Sequence, residues 1–524
     1  MDEPSIAAGA DLLGEALICY VADVTADELA LVRDDGAPPD GERGAVLVEL
    51  LGAAAMLATQ PHPQFLVGNL CIAGAGGESL IQQWLRRVGR TVTPSPTADA
   101  VLAELRALAV DLYPVLLMPD GEVPFSHASA AAFNHPRRAP LVEALRADPT
   151  ISRLVPEQQQ PGTLAMVYRS TGSGSSVQVE MLGQMLVEAA WHRLRARGEH
   201  ALDALEPALD EVVATVRAAA AGKPTSIPAM LAFAGLTLPD GVDEVALPFG
   251  RLRRASGADR WLYPANLSGG LQSTDAAGTT TQIDYAGDMV LETTLSYRLQ
   301  VRIDDDEALG WPTDLGDYRE FVDRADTVAL AAALSIIRSE VTVIGATWHV
   351  MFDPLGHMPQ AGWRDARSYT GLSAVAPTAA EVTEFTQWVT RIDAARTAGI
   401  AVGIRRTLSS LRERNDAADS LVDAVVAWEN LFGTGQGEIT FRVSVAMARL
   451  LADTAEGRET LRDEISKLYS LRSKVVHGVH VDEARIGYDA RRAREITLEM
   501  WRVIFRDVPG IIALKERART LLLR

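Results

Sequence analysis

The chain has 524 residues and a formal net charge of −19, with 48% hydrophobic and 23% charged residues. This profile predicts a soluble globular protein of about two to four domains and excludes disordered and fibrous classes. The acidic total argues against a protein coated along its length with nucleic acid, because phosphate binding needs concentrated lysine and arginine.

Cysteine content and apolar run lengths bear on where the protein works. Two cysteines, Cys19 and Cys71, are too few for a disulfide framework or a cysteine-rich zinc site, so we expect free thiols in a reducing compartment. The acidic start, MDEPSIAAGADLL, lacks the positive segment of a secretory signal. The most apolar run, AVLVELLGAAAMLA, is interrupted by Glu49 and is shorter than the ~18 residues of a membrane span. We therefore predict a cytoplasmic protein with no membrane partner.

Residues 1–225 are predicted to form a mixed α/β, mainly helical N-terminal region of unknown role. The short apolar runs EALICYVADV and FLVGNLCIAG are interpreted as buried strands. Helices are predicted for VLVELLGAAAML, SLIQQWLRRV, TADAVLAELRALAV, SSVQVEMLGQMLVEAAWHRLRARG and ALDALEPALDEVVATVRAAAA. The glycines of CIAGAGGESL do not match the G-x-G-x-x-G dinucleotide fingerprint, so no cofactor is predicted there.

The remaining sequence divides into a β-rich middle domain, 226–376, and an all-helical C-terminal domain, 377–524. The middle domain contains Val-, Thr- and Tyr-rich runs separated by Gly, Asp and Pro, which is typical of strands and turns: DEVALPFGRL, RWLYPA, TQIDYAG, MVLETTLSYRLQVRI and VTVIGATWHVMF. One helix, YREFVDRADTVALAAALSII, interrupts them. C-terminal helices are predicted near 379–396, 400–413, 416–432, 439–454, 459–477 and 488–507. The predicted fold class is multidomain α+β, ending in a helical bundle.

The net charge is unevenly distributed between these regions. Residues 376–524 contain 23 basic and 21 acidic side chains, a net of +2, which leaves −21 for residues 1–375. The acidity therefore belongs to the N-terminal and middle parts, and it does not exclude a localised nucleic-acid site in the helical domain.

The segment LYSLRSKVVHGVH, residues 468–480, contains the most informative pair of side chains. On a helix, Leu461, Ile465, Leu468 and Val475 form the predicted inward stripe, and Arg472 occupies a stripe position. An arginine there requires a partner, a phosphate or a subunit interface, because unpaired burial is costly. His477 precedes Gly478, a favourable residue just after a helix, and histidine can move protons near neutral pH.

The bare Arg-x4–6-His pattern is weak evidence, since about two such matches are expected by chance in a chain of this composition. A second match, Arg195 and His200 in RARGEH, also falls at a predicted helix end and is interpreted as a solvated helix terminus. The spacing therefore does not distinguish the two Arg-x4-His pairs, and only their sequence context does.

That context resembles the Apea-like HEPN domain over about 417–507, less than a third of the chain. The resemblance rests on AWENLF, a glycine-containing loop, FRVSVAMARLL, and above all DEISKLYSLRSKVVHG followed by a long arginine-bearing helix. HEPN domains are helical, usually dimeric, and many are metal-independent endoribonucleases. The resemblance implies no metal and no cofactor. A subgroup with Arg-x4-His-x-Tyr is modified on the tyrosine, but Val479 stands there in this chain.

The resemblance implies specific residue roles. Arg472 and His477 would be the catalytic pair, meeting those of a second subunit across a homodimer, with Ser473 and Glu429 as supporting residues. Lys474, Arg491 and Arg492 are predicted RNA-binding residues beside the pair and on the next helix. His480 is interpreted as an exposed loop histidine, with a second acid–base role as the alternative.

Two functions follow from these expectations. The first is an endoribonuclease of a toxin or anti-phage defence system, restrained by the acidic N-terminal domains and released by a phage component or a nucleotide. The alternative is a catalytically inactive HEPN protein that acts as an RNA-binding or dimerisation scaffold, in which Arg472 and His477 form a structural ion pair or a degenerate site.

Overall fold

The chain forms two compact units, each assembled from three stretches of sequence. The computed structural model describes residues 3–35, 37–61, 63–74, 76–119, 131–155, 165–267, 269–274, 280–303, 317–335, 344–356, 359–369, 372, 377–433 and 438–523. The first unit comprises Met1–Pro228, Leu295–Asp317 and Met351–Gln360, and the second comprises Ala229–Thr294, Tyr318–Val350 and Ala361–Arg524. The boundary predicted near 225 lies close to a unit boundary. The boundary predicted at 376 falls inside the second unit, so the region 226–376 is divided between the units.

The first unit is mainly helical. Its helices are α1 (Glu3–Leu13), α2 (Glu15–Ala22), α3 (Ala26–Asp35), α4 (Glu42–Ala58), α5 (Pro63–Val67), α6 (Leu80–Arg87), α7 (Ala100–Leu116), α8 (Arg138–Ala147), α9 (Val179–Ala196) and α10 (Leu202–Ala220). The five helices predicted from periodicity are confirmed as α4, α6, α7, α9 and α10. Local capping explains two of them: Ser79 and Gln82 form a capping box on α6, and the Asp99 carboxylate accepts from the first amides of α7.

The two strands predicted in the first 75 residues are wrong. EALICYVADV contains α2, and FLVGNLCIAG contains most of α5 and a 3₁₀ turn, Gly68–Cys71. Leu17, Ile18 and Val21 are fully buried in the helical core of the unit. A short run this apolar gives no periodic signal that separates a buried helix from a buried strand.

The structure has eleven described strands in three sheets. In chain order they are β1 (Ala165–Arg169), β2 (Ser173–Ser175), β3 (Ser226–Ala234), β4 (Glu244–Leu247), β5 (Gly250–Arg254), β6 (Gly270–Thr274), β7 (Thr280–Asp284), β8 (Met289–Ser296), β9 (Leu299–Ile303), β10 (Gly345–Met351) and β11 (Gln360–Trp363). The first unit holds a small sheet of order β2-β1-β9, antiparallel throughout.

The second sheet has six strands in the order β11-β10-β3-β8-β5-β4 and lies mostly in the second unit. The third is a hairpin of β6 and β7. The predicted β-rich character of 226–376 is therefore confirmed. RWLYPA is an exception, because its first residues lie in a 3₁₀ helix, Gly257–Leu262, that begins with a capping box between Ser256 and Asp259.

The second unit carries the remaining helices. They are α11 (Asp317–Ser335), α12 (Ala379–Ala395), α13 (Ala398–Arg412), α14 (Ala417–Phe432), α15 (Ile439–Leu451), α16 (Ala455–Val476), α17 (Glu483–Arg506) and α18 (Arg517–Leu522). All six C-terminal helices predicted from sequence are present, and most of their ends agree to within a few residues. The mixed α+β class and the helical C-terminal region are confirmed.

Buried tryptophans fix the packing of the C-terminal helices. The indole nitrogen of Trp428 on α14 donates to the Thr497 hydroxyl on α17 at 2.8 Å, and that of Trp501 on α17 donates to the Thr407 hydroxyl on α13 at 2.8 Å. Both indoles are fully buried, so each needs its acceptor. These bonds set the register of α14 and α13 against α17, and so position the end of α14 that faces α16.

A buried ion pair joins α11 to the helices that follow it. The Arg412 guanidinium on α13 lies 3.4 Å from the Asp326 carboxylate on α11 and also donates to the Ile344 carbonyl. Arg396, just after α12, lies 3.0 Å from Asp323. Arg412 and Asp326 are both buried, so loss of either would leave the other with only a longer contact, Arg412 with Glu413 at 3.7 Å or Asp326 with Arg396 at 3.8 Å.

None of the helices that the structure describes is both long enough and apolar enough to cross a membrane.

Candidate functional site

The candidate site is built on α16, whose ends are defined by local sequence. The Thr454 hydroxyl accepts from the Gly457 amide at the start of the helix. At the end, His477 is the capping residue, and Gly478 adopts a left-handed φ of 72°, a conformation that favours glycine.

The buried face of α16 differs from the predicted stripe. Ile465 and Leu468 are buried as predicted, and Leu471 is buried beside them. Leu461 and Val475 are only partly buried. The buried face thus turns gradually around the helix, and Arg472 lies at its edge rather than in its centre.

Arg472 is held against α14 by Glu429. Its Nη2 atom lies 3.5 Å from Glu429 Oε2, and each side chain is 25% exposed. The guanidinium carbon lies 5.9 Å from the centre of the Tyr469 ring, while the buried Nε atom has no hydrogen-bond partner. The resemblance assigned Glu429 a position facing the pair, and the structure does place Glu429 beside Arg472. The guanidinium is therefore anchored on one side and keeps unused donors.

Tyr469 completes this group, which we call the Arg472–Glu429–Tyr469 cluster. The Tyr469 hydroxyl donates to Glu429 Oε1, the oxygen not directed at Arg472. Burial and this hydrogen bond to a carboxylate raise the pKa of Tyr469 to about 12. Sequence reasoning missed Tyr469, although it precedes Arg472 by three residues and so had to share its side of the helix.

His477 lies at the exposed C-terminal end of α16. Its amide donates to the Ser473 carbonyl at 3.1 Å, and its side chain faces solvent. Among the described residues no hydrogen bond or ion pair joins the side chains of Arg472 and His477. Five residues on an ideal helix correspond to ~7.5 Å of rise and ~140° of rotation, so one subunit does not bring the two side chains together on one face.

The predicted supporting and RNA-binding residues fall in different surroundings. Ser473 is half-buried, and Lys474 and Arg491 are exposed. Arg492 is 2.9 Å from Glu464 on α16 and 3.2 Å from Glu495, so its charge is already matched by two carboxylates. Lys474 and Arg491 are therefore better placed than Arg492 to meet a phosphate.

The second Arg-x4-His pair is built into the first unit. The carbonyl of His200 accepts a hydrogen bond from the Tyr113 hydroxyl, and the His200 ring lies 5.7 Å from that of Trp191. Arg195 is half-buried on α9. These contacts hold the end of α9 in place. The surroundings of this pair therefore differ from those of the Arg472–Glu429–Tyr469 cluster.

In the part of the chain that the structure describes, no group of three His, Cys, Asp or Glu side chains is arranged to hold a metal ion. Comparison of the chain with protein-family models, with curated proteins and with solved structures gives no match. The site must accordingly be judged on its own geometry.

Proposed function

We propose that the chain is a HEPN-type endoribonuclease that cleaves RNA without a metal ion. One observation carries the proposal: an arginine anchored by Glu429 and Tyr469 remains one-quarter exposed, and a solvent-exposed histidine ends the same helix. A fixed cation with free N–H groups suits a phosphate, and an accessible imidazole suits proton transfer.

The proposed reaction uses the 2′-hydroxyl of the RNA as the nucleophile. His477 removes the 2′-hydroxyl proton as the O2′–P bond forms, and the P–O5′ bond breaks. A second proton donor, the His477 of the other subunit or water, protonates the departing 5′-oxygen. Arg472 binds the phosphate and stabilises the charge that builds up on its oxygens. The products are a 2′,3′-cyclic phosphate and a 5′-hydroxyl end.

A homodimer supplies the geometry that one subunit lacks. Because Arg472 and His477 point to different sides of α16, the proposed site combines Arg472 of one subunit with His477 of the other. Exposed apolar residues near the cluster favour a contact with a second copy. Ile439 and Phe441 flank Thr440, whose side chain hydrogen-bonds to Tyr469, and Val476 is exposed at the end of α16.

A non-catalytic scaffold is the second candidate, and the Arg472–Glu429 contact is the observation that favours it. A one-quarter-exposed ion pair between two helices is a common structural element, and Arg472 could serve only to join α14 to α16. In that case the domain would dimerise or bind RNA without cleaving it.

Cleavage of total RNA in EDTA separates the two functions. We expect fragments with 2′,3′-cyclic phosphate ends from the wild type. Cleavage should fall at least about 100-fold in His477→Ala, which lacks the acid–base group, and in Arg472→Ala, which lacks the donor that stabilises the developing charge. Arg195→Ala and His200→Ala are matched controls and should cleave normally. Melting temperatures of the four variants close to that of the wild type would exclude misfolding as the cause of lost cleavage.

The cleavage assay must also be run in the presence of a possible trigger. We propose that residues 1–375 restrain the nuclease until a phage component or a nucleotide is present, so the assay is repeated with lysate from infected cells and with nucleotides. If the wild type binds RNA but cleaves none under any of these conditions, the scaffold function is correct. Growth arrest on expression that disappears in His477→Ala is a faster test of the same point.

A further inference from the structure

A groove runs along the side of α16 that faces away from the Arg472–Glu429–Tyr469 cluster. Its volume is about 630 Å³, and its walls are α16, the segment after it and the start of α17. The lining residues that matter are Lys467, Lys474, His480 and Arg485. On an ideal helix Lys474 and Lys467 lie about 200° and about 220° around the axis from Arg472, measured in one direction, so the groove and the cluster occupy different faces.

The groove contains positive charge that the protein itself does not neutralise. Lys467 and Lys474 are exposed, and neither forms an ion pair among the described residues. Arg485, by contrast, lies 3.6 Å from Asp489, and of the two carboxylates in the lining only Asp463 has a cationic partner. Asp463 lies 2.6 Å from the Arg462 guanidinium, and Asp482 accepts from the Arg485 amide as the N-cap of α17.

The lysines are spaced along the groove. Seven residues on a helix correspond to two turns and ~10.5 Å, so Lys467 and Lys474 share one face in a row parallel to the axis. The hydroxyls of Ser466 and Ser470 lie on the same wall. A lysine is a flexible, strongly hydrated point charge that reaches phosphates without fixed geometry, so this row fits a polyanion that runs lengthwise.

We propose that this groove binds the sugar–phosphate backbone of single-stranded RNA. The inference rests on the proposed function in taking RNA as the ligand, and it assigns the track by which RNA approaches His477. That track uses Lys467, Lys474 and Arg485, of which only Lys474 was a predicted RNA contact. The open groove admits a flexible single strand of RNA. Its positive charges lie in a row along the helix, whereas a site for one small anion would have its cations close together.

Lysine footprinting tests the proposal directly, because the chain has only four lysines: Lys223, Lys467, Lys474 and Lys515. Full-length His477→Ala protein, which should not cleave, is acylated with a lysine-reactive ester with and without a single-stranded 12-mer RNA. Mass spectrometry then gives the extent of modification at each lysine. We expect several-fold protection of Lys467 and Lys474 and no change at Lys223 or Lys515. Equal labelling with RNA bound, no binding of RNA, or protection by an acidic peptide but not by RNA would each overturn the proposal.

Charge reversal gives a second measurement in the same background. Lys467→Glu/Lys474→Glu should weaken RNA binding about tenfold and lower the slope of log Kd against log salt by about 1.4, the value for two lost single-strand phosphate contacts. Lys223→Glu, an exposed lysine in the first unit, is the control and should change neither. An unchanged slope in the double variant contradicts the proposal.

The outcome is separable from that of the proposed function. If RNA protects Lys467 and Lys474 and the double variant has a reduced salt slope, but the wild type cleaves no RNA, then the groove binds RNA and the proposed nuclease function is wrong. Cleavage by the wild type, together with an unaltered salt slope in the double variant, would support the nuclease and contradict RNA binding in the groove.

Discussion

Glu429 divides its two carboxylate oxygens between two residues of α16: Oε2 lies 3.5 Å from the Arg472 guanidinium, and Oε1 accepts from the Tyr469 hydroxyl. Because Tyr469 occupies one oxygen, Glu429 makes one long contact with Arg472 instead of a bidentate pair. The arginine is thereby positioned but not fully neutralised, which is the condition a phosphate-binding residue requires.

Removal of the negative charge at Glu429 should make Arg472 more available to RNA. In Glu429→Gln the side chain can still accept from Tyr469, but the competing charge is lost, so the KM for RNA should fall by up to about fivefold, the equivalent of a partly exposed ion pair. Steady-state cleavage of a fluorogenic RNA measures KM and kcat. Glu438→Gln, on an exposed residue at the start of α15, is the control. A fall in kcat with an unchanged KM would contradict this role and give Glu429 a direct part in the reaction.

Tyr469 should make stability depend on alkaline pH. Its folded-state pKa of about 12 lies above the ordinary value of 10.0, because burial and Glu429 disfavour the phenolate. The resulting stability is complete below pH 10 and is lost as the pH rises towards 12. Urea unfolding at pH 9, 10 and 11 should therefore show a smaller alkaline loss in Tyr469→Phe than in the wild type. Tyr488→Phe, on a largely exposed tyrosine, should follow the wild type. Identical pH curves for Tyr469→Phe and the wild type would contradict the prediction.

Two inactive variants should restore each other if the site is shared between subunits. A mixed dimer of Arg472→Ala and His477→Ala retains one intact combination of Arg472 from one subunit and His477 from the other. After exchange of subunits, about a quarter of wild-type cleavage should return, since about half the dimers are mixed and each has one working site. The same mixture with Phe441→Glu added to both chains should stay inactive and run as a monomer in light scattering. No recovery by a verified mixed dimer would place the whole site within one subunit.

The buried Trp428–Thr497 hydrogen bond should contribute measurably to stability. Thr497→Val nearly keeps the side-chain volume but leaves the indole N–H of Trp428 without an acceptor, at a cost of about 1–3 kcal/mol in the free energy of unfolding. Urea unfolding followed by tryptophan fluorescence measures it. Thr390→Val is a close control, because both hydroxyls donate to the carbonyl four residues earlier but Thr390 is exposed. Equal effects of the two changes would mean that the indole bond adds nothing.

The sequence was most informative where periodicity was long. The stripe Leu421, Val425, Trp428 and Phe432 has a helical period, and α14 buries all four side chains. The run Glu15–Ala22 is too short and too apolar to show a period, and only its packing inside a helical core decides that it is α2. Strand β3 shows the same ambiguity, since most of its residues are buried on both faces.

The candidate site was predictable only in part. Arg472, His477 and Glu429 were identified from their sequence context, and the contact between Arg472 and Glu429 is present. Tyr469 was missed because a tyrosine on a helix usually indicates packing, and only its contact with Glu429 shows a polar role. Arg492 was predicted from its place on the helix that follows the pair, and its place in the sequence cannot reveal that Glu464 on a neighbouring helix is 2.9 Å away.

The interleaved path of the chain limits how the protein can be divided. The C-terminal helices depend on α11, which lies before residue 336, because Asp326 compensates the buried charge of Arg412. A fragment that starts near residue 376 would therefore lose the carboxylates that α11 supplies, Asp326 beside Arg412 and Asp323 beside Arg396, and would keep only the longer 3.7 Å contact of Arg412 with Glu413. For the nuclease proposed above, release by proteolysis at this point would separate the C-terminal helices from α11, whereas a change of conformation in the intact chain would keep these contacts.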